Sequence, residues 1–385
     1  MKDKFIAKRY WKDGSTPMGK VDELAKKYEG VINLSLGDPD LTTPEVIIDR
    51  AFADARAGHT KYTDFRGDPE LRQEIAAYYK ERFGLSLGDE EIFVAASGCL
   101  GMYLVLEAIL DEGDEVILQA PYFTPYPQQV ELARGVAVEF PMLEEEDFRI
   151  NIKRLEQTIT ARTKAIVINS PNNPTGNCLS EQDLENIARI AKKYDLIVIS
   201  DEIYTAYSYQ EPFVPIMSLE GMRERTVTIN SFSKDYIMTG WRVGNIIAPP
   251  NIIRTIQQIN ENVVFTAPSI SQRAAIYAMR HRQEFQADIV GEYRRRAEYG
   301  AKRINEISWM SVIEPPKGTF YLFANVKKTG LSSEEVSRLI LEQAKVLTIP
   351  GNAFGDCGEG YIRLACTVSM EVLKEAFDRM EQIRF

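Results

Sequence analysis

From about residue 90 to residue 250 the chain repeats one unit: a short run rich in Val, Ile and Leu, a turn, then a stretch with apolar residues at helical spacing. Strands that are apolar on both sides must be covered on both sides. The alternation therefore dictates a mostly parallel sheet sandwiched by helices and excludes an all-helical or all-β chain. The candidate strands are Ile92 to Ala96, Glu115 to Leu118, Val136 to Phe140, Ala165 to Asn169, Leu196 to Ser200, Val227 to Asn230 and Gly244 to Ala248, a seven-stranded α/β core. The best-marked helix follows Ser180, where Ser-Glu-Gln-Asp precedes Leu184, Ile187, Ile190 and Ala191; that is a cap signature followed by one apolar face.

After Pro268 a charge-laced helical stretch runs to about Ile307, at a place where it can bridge two domains. Beyond it, Thr319 to Phe323, Val346 to Ile349 and Tyr361 to Ala365 read as strands, with helices near Ser333 to Gln343 and Ser369 to Ile383. A chain of 385 residues accommodates two or three domains at about 150 residues each. The reading is an amino-terminal arm and part of a small domain over 1–43, a large domain over 44–285 and a smaller α+β domain completed by 286–385. No Gly/Ser linker separates them, so they are expected to pack together rather than swing.

Lys and Arg total 46 against 56 Asp and Glu, a net charge of −10 that argues against a nucleic-acid-binding face. The four cysteines, at 99, 178, 357 and 366, have neither zinc spacing nor the density of a secreted disulfide scaffold, and suit a reducing cytoplasm. No signal peptide or membrane-spanning run is expected. Only His59 and His281 are present, both read as surface or helix-end residues, so proton transfer must fall to other side chains.

Four stretches that follow apolar runs carry the chemistry. Ser231-Phe-Ser233-Lys234 is followed eight positions later by Arg242, placing an amine near hydroxyls and a second cation. An ordinary lysine, with a pKa of about 10.4, is a poor nucleophile at neutral pH, but as a Schiff base with an aldehyde cofactor it becomes a reactive centre. Alone, Ser-x-Ser-Lys is equally a surface lysine in a loop. Ser200-Asp201-Glu202-Ile203-Tyr204 ends the strand LIVIS, at the edge where ligands of open α/β sheets collect; Asp201 alone is also a helix cap, and Glu202 is expected to be solvated. Asn172-Asn173-Pro174-Thr175-Gly176 is a turn by composition. Ser97-Gly98-Cys99 joins a strand to a helix whose free N–H groups suit a phosphate. The dinucleotide fingerprint and the Walker lysine are missing, which disfavours a NAD dehydrogenase.

Together these spacings resemble the class I/II aminotransferases, aspartate aminotransferase-like enzymes of fold type I that use pyridoxal 5′-phosphate (PLP), over roughly residues 30–383. The resemblance implies that Lys234 carries PLP as an internal aldimine. It implies phosphate contacts from Ser97, Gly98, the Cys99 amide, Ser231, Ser233 and Arg242. Asp201 then pairs with the ring nitrogen, Tyr204 and Asn173 share the phenolic oxygen, and Phe123 of Pro121-Tyr122-Phe123 stacks on the ring. Gly37, Asn173 and Arg363 are implied to bind the substrate, Gly37 and Arg363 through its carboxylate. Arg363 lies in an otherwise apolar strand, where a guanidinium needs a partner, either that carboxylate or an internal acid. Tyr62 is implied to reach the cofactor phosphate of a second subunit, making the unit a homodimer.

The function expected from the resemblance is ping-pong transfer of an amino group from an L-amino acid to a 2-oxo acid. The alternatives are a PLP-dependent β-eliminating C–S lyase acting on cystathionine-like substrates and, more remotely, a non-catalytic PLP-binding regulator. The accepted side chain is left open, with Tyr10, Trp11 and Met18 as candidates to line its pocket.

Overall fold

The computed structural model describes residues 4–11 and 23–384. After the short strand β1 (Ile32–Asn33) come β2 (Ile92–Ala95), β3 (Glu115–Ala120), β4 (Val136–Pro141), β5 (Thr163–Asn169), β6 (Ile197–Asp201), β7 (Thr226–Ser231) and β8 (Gly244–Ile247). Strands β2 to β8 form one sheet in the order β2-β8-β7-β6-β5-β3-β4, parallel throughout except for β8, which runs against both neighbours. Alternate residues feed opposite cores: Val116 and Leu118 of β3 pack with the helices Gly98–Ile109 and Pro250–Val263, while Ile117 between them packs with Leu184 and Ile187 of the helix Glu181–Lys193. Edge strand β4 is partly open to solvent, Val136 being exposed. The Ser180 cap forms as expected: its Oγ accepts from the Asp183 N–H at 3.2 Å, and Asp183 accepts from the Ser180 N–H at 3.0 Å.

A second set of strands comprises β9 (Tyr321–Asn325), β10 (Val346–Leu347), β11 (Ile349–Pro350) and β12 (Tyr361–Ala365). They make an antiparallel sheet, β11-β12-β9, and a parallel pair of β10 with the amino-terminal β1. Ile32 and Leu34 from the amino-terminal segment share a core with Ile304, Leu322, Val336, Leu364 and Phe377.

Three expectations shift in detail. The strand expected from Thr319 begins at Tyr321, because Thr319 sits at φ 58° and its Oγ accepts from the Tyr321 N–H at 3.0 Å. The run Val346 to Ile349 divides at Thr348 between two different sheets. The stretch after Pro268 is two helices, Ser269–Arg280 and Arg282–Glu306, broken at His281, whose Nδ1 lies 2.7 Å from Glu284 Oε1. The second helix is continuous across residue 286: Ile289 and Tyr293 pack with Tyr207 and Phe320, whereas Ala301 and Ile304 enter the core of the terminal segments.

Candidate active site

Strands β2, β3, β5, β6 and β7 run the same way, so the residues that follow each emerge at one edge of the sheet. There they surround a cavity of about 550 Å³. Thirteen of the fourteen residues that the resemblance implies for cofactor or substrate line it: Gly37, Ser97, Gly98, Cys99, Phe123, Asn173, Asp201, Tyr204, Ser231, Ser233, Lys234, Arg242 and Arg363. Tyr62 is not among them; it is 79% exposed, with its ring edge-on to Phe265 at 4.8 Å. Tyr10 and Trp11 do not line the cavity either, and Met18 lies outside the described residues.

One end of the cavity is built for an anion. Ser97 caps the helix Gly98–Ile109, its Oγ accepting from the Leu100 N–H at 3.0 Å, and the helix opens towards the cavity. A Cβ at Gly244 would stand 2.8 Å from the Gly98 nitrogen and one at Gly98 3.0 Å from Ile203, so the two glycines let β8, the helix and the β6 loop close together. Ser231 Oγ donates to Ser233 Oγ at 2.9 Å. Arg242 is exposed and makes no ion pair among the described residues, its Nη1 donating only to the Thr239 carbonyl at 2.7 Å. A helix N-terminus, two hydroxyls and a guanidinium with no counter-charge fit a phosphate.

Asp201, at the end of β6, is buried and has no cationic partner among the described residues. Its carboxylate accepts from the Tyr126 hydroxyl and, at 3.2 Å, from the Ile203 N–H. Burial raises its pKa to about 6, against the pull of the Tyr126 hydrogen bond. Asn169, its register partner on β5, donates to the Asp201 carbonyl at 3.0 Å and accepts from the Asn173 N–H at 2.8 Å. A buried acid still lacking a cation fits a protonated ring nitrogen.

Lys234 lines the same cavity as Asp201. Its Nζ donates to the Gly37 carbonyl, and burial lowers its pKa to about 8, with Asp38 pulling the other way and Arg363 and Arg242 adding to the fall. A Cβ at Gly37 would lie 1.6 Å from the Tyr321 hydroxyl, so a larger residue there would displace that buried ring. That hydroxyl is 3.1 Å from Tyr204 Oη. Arg363 on β12 is buried between the rings of Tyr321 and Phe354, at 4.6 and 4.8 Å. It donates to Asn173 Oδ1 at 2.9 Å and to the Ser35 carbonyl, while its Nε has no partner. No described carboxylate pairs with it, which disposes of the internal salt bridge; burial lowers its pKa.

Glu202 overturns an expectation. It is fully buried, with its carboxyl 3.4 Å from Tyr79 Oη and 3.3 Å from Thr228 Oγ1, and burial raises its pKa to about 8. Sheet pairing extends one residue past β6, the Glu202 N–H bonding Ile229 O at 2.8 Å, so strand alternation turns the side chain away from the cavity. Tyr122 also points elsewhere, to Glu139, leaving Phe123 in the cavity. Tyr126, Asn169 and Tyr321 join the site although the sequence does not single them out; only Asn169, a polar residue closing an apolar strand at the ligand edge, carries a readable signal.

The chain matches the family model for aminotransferase class I and II over residues 29–380, and it belongs to that family. It is 41% identical to an aspartate aminotransferase of Pyrococcus abyssi, over 94% of each chain. It is 39% identical to aromatic-amino-acid aminotransferase 2 of Thermococcus litoralis, again over 94% of each. A solved aromatic aminotransferase from Pyrococcus horikoshii superposes with a TM-score of 0.89 at 38% identity, over 94% of this chain and 98% of that one. The protein is thus an enzyme that uses pyridoxal 5′-phosphate to move amino groups between amino acids and 2-oxo acids, and its relatives favour transamination over the C–S lyase alternative. Among the described residues, no helix is long and apolar enough to cross a membrane.

Proposed function

We propose that Lys234 holds PLP and moves the substrate's α-proton, and that Arg363 binds the substrate's α-carboxylate. The observation that carries this is Arg363 itself: a buried fork-shaped cation beside the lysine, with its Nε unpartnered and no acid on it. Ser97, Gly98, the Cys99 amide, Ser231, Ser233 and Arg242 hold the phosphate. Asp201 keeps the ring nitrogen protonated, Tyr204 and Asn173 donate to the phenolic oxygen, and Phe123 covers the ring. When bound, the cofactor supplies an electron sink for charge left at the substrate α-carbon. Lys234, buried and partly neutral near pH 7, is placed to take that proton and to return it two atoms along, at the cofactor's exocyclic carbon.

The lowered pKa of Lys234 makes a direct prediction. Only the neutral amine attacks an aldehyde, so covalent uptake of PLP by apo-protein should quicken with pH and level off near about 8. Uptake followed by absorbance that keeps rising towards the ordinary lysine value of about 10.4 contradicts the assignment.

Of the substrate kinds in the relatives' names, an aromatic or other uncharged side chain suits this cavity better than aspartate. Among the described residues its basic lining residues are Lys234, Arg242 and Arg363, each taken up by the cofactor or the α-carboxylate, while Asp38 adds an acid to the same lining. Turnover with 2-oxoglutarate should give kcat/KM for L-phenylalanine at least about tenfold above that for L-aspartate, one unpaired carboxylate costing at least that much; the reverse order sinks this reading.

The active unit is a homodimer in which exposed Tyr62 reaches the neighbouring cofactor phosphate; sedimentation showing only monomer in the active enzyme removes that role. The division into a large domain over 44–285 and a small one from both termini is supported by the shared core of Ile32, Leu34 and Phe377, with the helix Arg282–Glu306 as the continuous bridge. Limited proteolysis that releases no fragments of that pattern counts against it. Four free cysteines suit a cytoplasmic location, which imaging of the tagged protein would check.

A further inference from the structure

Next to Lys234, and facing the other way, stands a second buried acid. Asp235 is 3% exposed. Its Oδ2 lies 3.3 Å from Thr205 Oγ1 and 3.4 Å from the Ala206 nitrogen, both in the turn that follows Tyr204. The same two loops are tied again by the Tyr207 hydroxyl, which donates to the Lys234 carbonyl at 3.0 Å. Asp235 therefore sits on a cross-link between the residue proposed to hold the cofactor aldehyde and the residue proposed to hold its phenolic oxygen.

The other oxygen, Oδ1, is buried without a partner, and so is Asn245 Oδ1 on β8. Both residues line one cavity of about 20 Å³, room for a single water. Two orphaned acceptors facing one small void are costly, and one hydrogen would satisfy both. Among the described residues no cation acts on Asp235: the titratable groups that feel it are the phenols Tyr78 of the helix Pro69–Phe83, Tyr207 of the opposing turn and Tyr236 beside it, with Arg282 one layer further out, over the Tyr78 ring at 5.5 Å.

We propose that Asp235 is a positioning residue that works in its protonated form, its acid hydrogen bridging to Asn245 directly or through one water and so pinning the Lys234 loop between β8 and the Tyr204 turn. Burial acts in the same sense, raising the Asp235 pKa to about 7. The relevance to catalysis rests on the role given to Lys234, but the bridge itself does not, and the two fail separately in the experiment.

The variants are Asp235→Asn and Asp235→Ala, measured as apo- and holoenzyme. Asparagine keeps an acceptor for Thr205 and Ala206 and offers an N–H where the acid hydrogen stood. A carboxyl with a raised folded-state pKa keeps a proton that the unfolded chain has already lost. Wild-type stability therefore falls as pH climbs from the ordinary carboxylate range to about 7, then levels off. Asp235→Asn cannot show that fall. Its apo-protein melting temperature should match the wild type at mildly acidic pH and exceed it increasingly towards neutral pH. Its kcat at neutral pH should stay within about threefold of wild type, while Asp235→Ala loses about tenfold or more with the cross-link gone. A melting difference that does not vary with pH, or Asp235→Asn melting as poorly as Asp235→Ala throughout, overturns the bridge. Rescue of melting without rescue of kcat overturns its link to Lys234 alone.

Discussion

Replacing Lys234 by alanine should lower transaminase turnover by about 10⁴-fold or more, the loss expected when one group is both the covalent anchor and the proton carrier. The side chain's one hydrogen bond is to the Gly37 carbonyl, and its loop is held independently by Asp235 and Tyr207. The variant should fold, and it should still bind the cofactor weakly through the phosphate end, where Ser97, Ser231 and Arg242 are untouched. Steady-state rates with an amino acid and 2-oxoglutarate measure the loss, and PLP absorbance after gel filtration measures retention. A variant with near wild-type turnover removes Lys234 from the chemistry.

Arg363 gives the second large effect, and there activity and stability should part company. Arg363→Lys keeps the charge but loses the two-pronged geometry, and Arg363→Leu loses both; kcat/KM for the amino acid should fall about 10²-fold and about 10³-fold respectively. Were this guanidinium neutralised by an internal acid, leucine would strand a buried carboxylate and unfold the protein. Instead its Nη1 meets Asn173 Oδ1 at 2.9 Å, its Nη2 the Ser35 carbonyl, and its Nε nothing. Removing a buried cation with no counter-charge relieves desolvation, so Arg363→Leu should melt close to or above wild type. Loss of both activity and stability in parallel contradicts the assignment.

Most of this site is legible in the sequence because α/β sheets gather their functional residues at one edge, immediately after apolar strands that the sequence displays openly. Lys234, Asp201, Asn173 and Ser97 each follow such a strand, and reading the strand places the residue. What escapes such reading depends on contacts between distant segments. Tyr126 reaches Asp201 across 75 residues and Tyr321 reaches Tyr204 across 117, and nothing local marks either tyrosine as more than core. Charge alone suggests exposure for Glu202, whereas one extra residue of pairing with β7 turns it inward to Tyr79. The break at His281 and the split at Thr348 are likewise settled by packing, since residues on both sides continue the local pattern.

All of these roles depend on one covalent attachment, and it can be tested without any substrate. Borohydride reduction of the PLP-loaded protein, followed by proteolysis and peptide mapping, fixes the cofactor to whichever amine carries it. The expected product is a single modified peptide with the cofactor on Lys234; modification of another lysine, or a protein that takes up no PLP at all, would contradict the account.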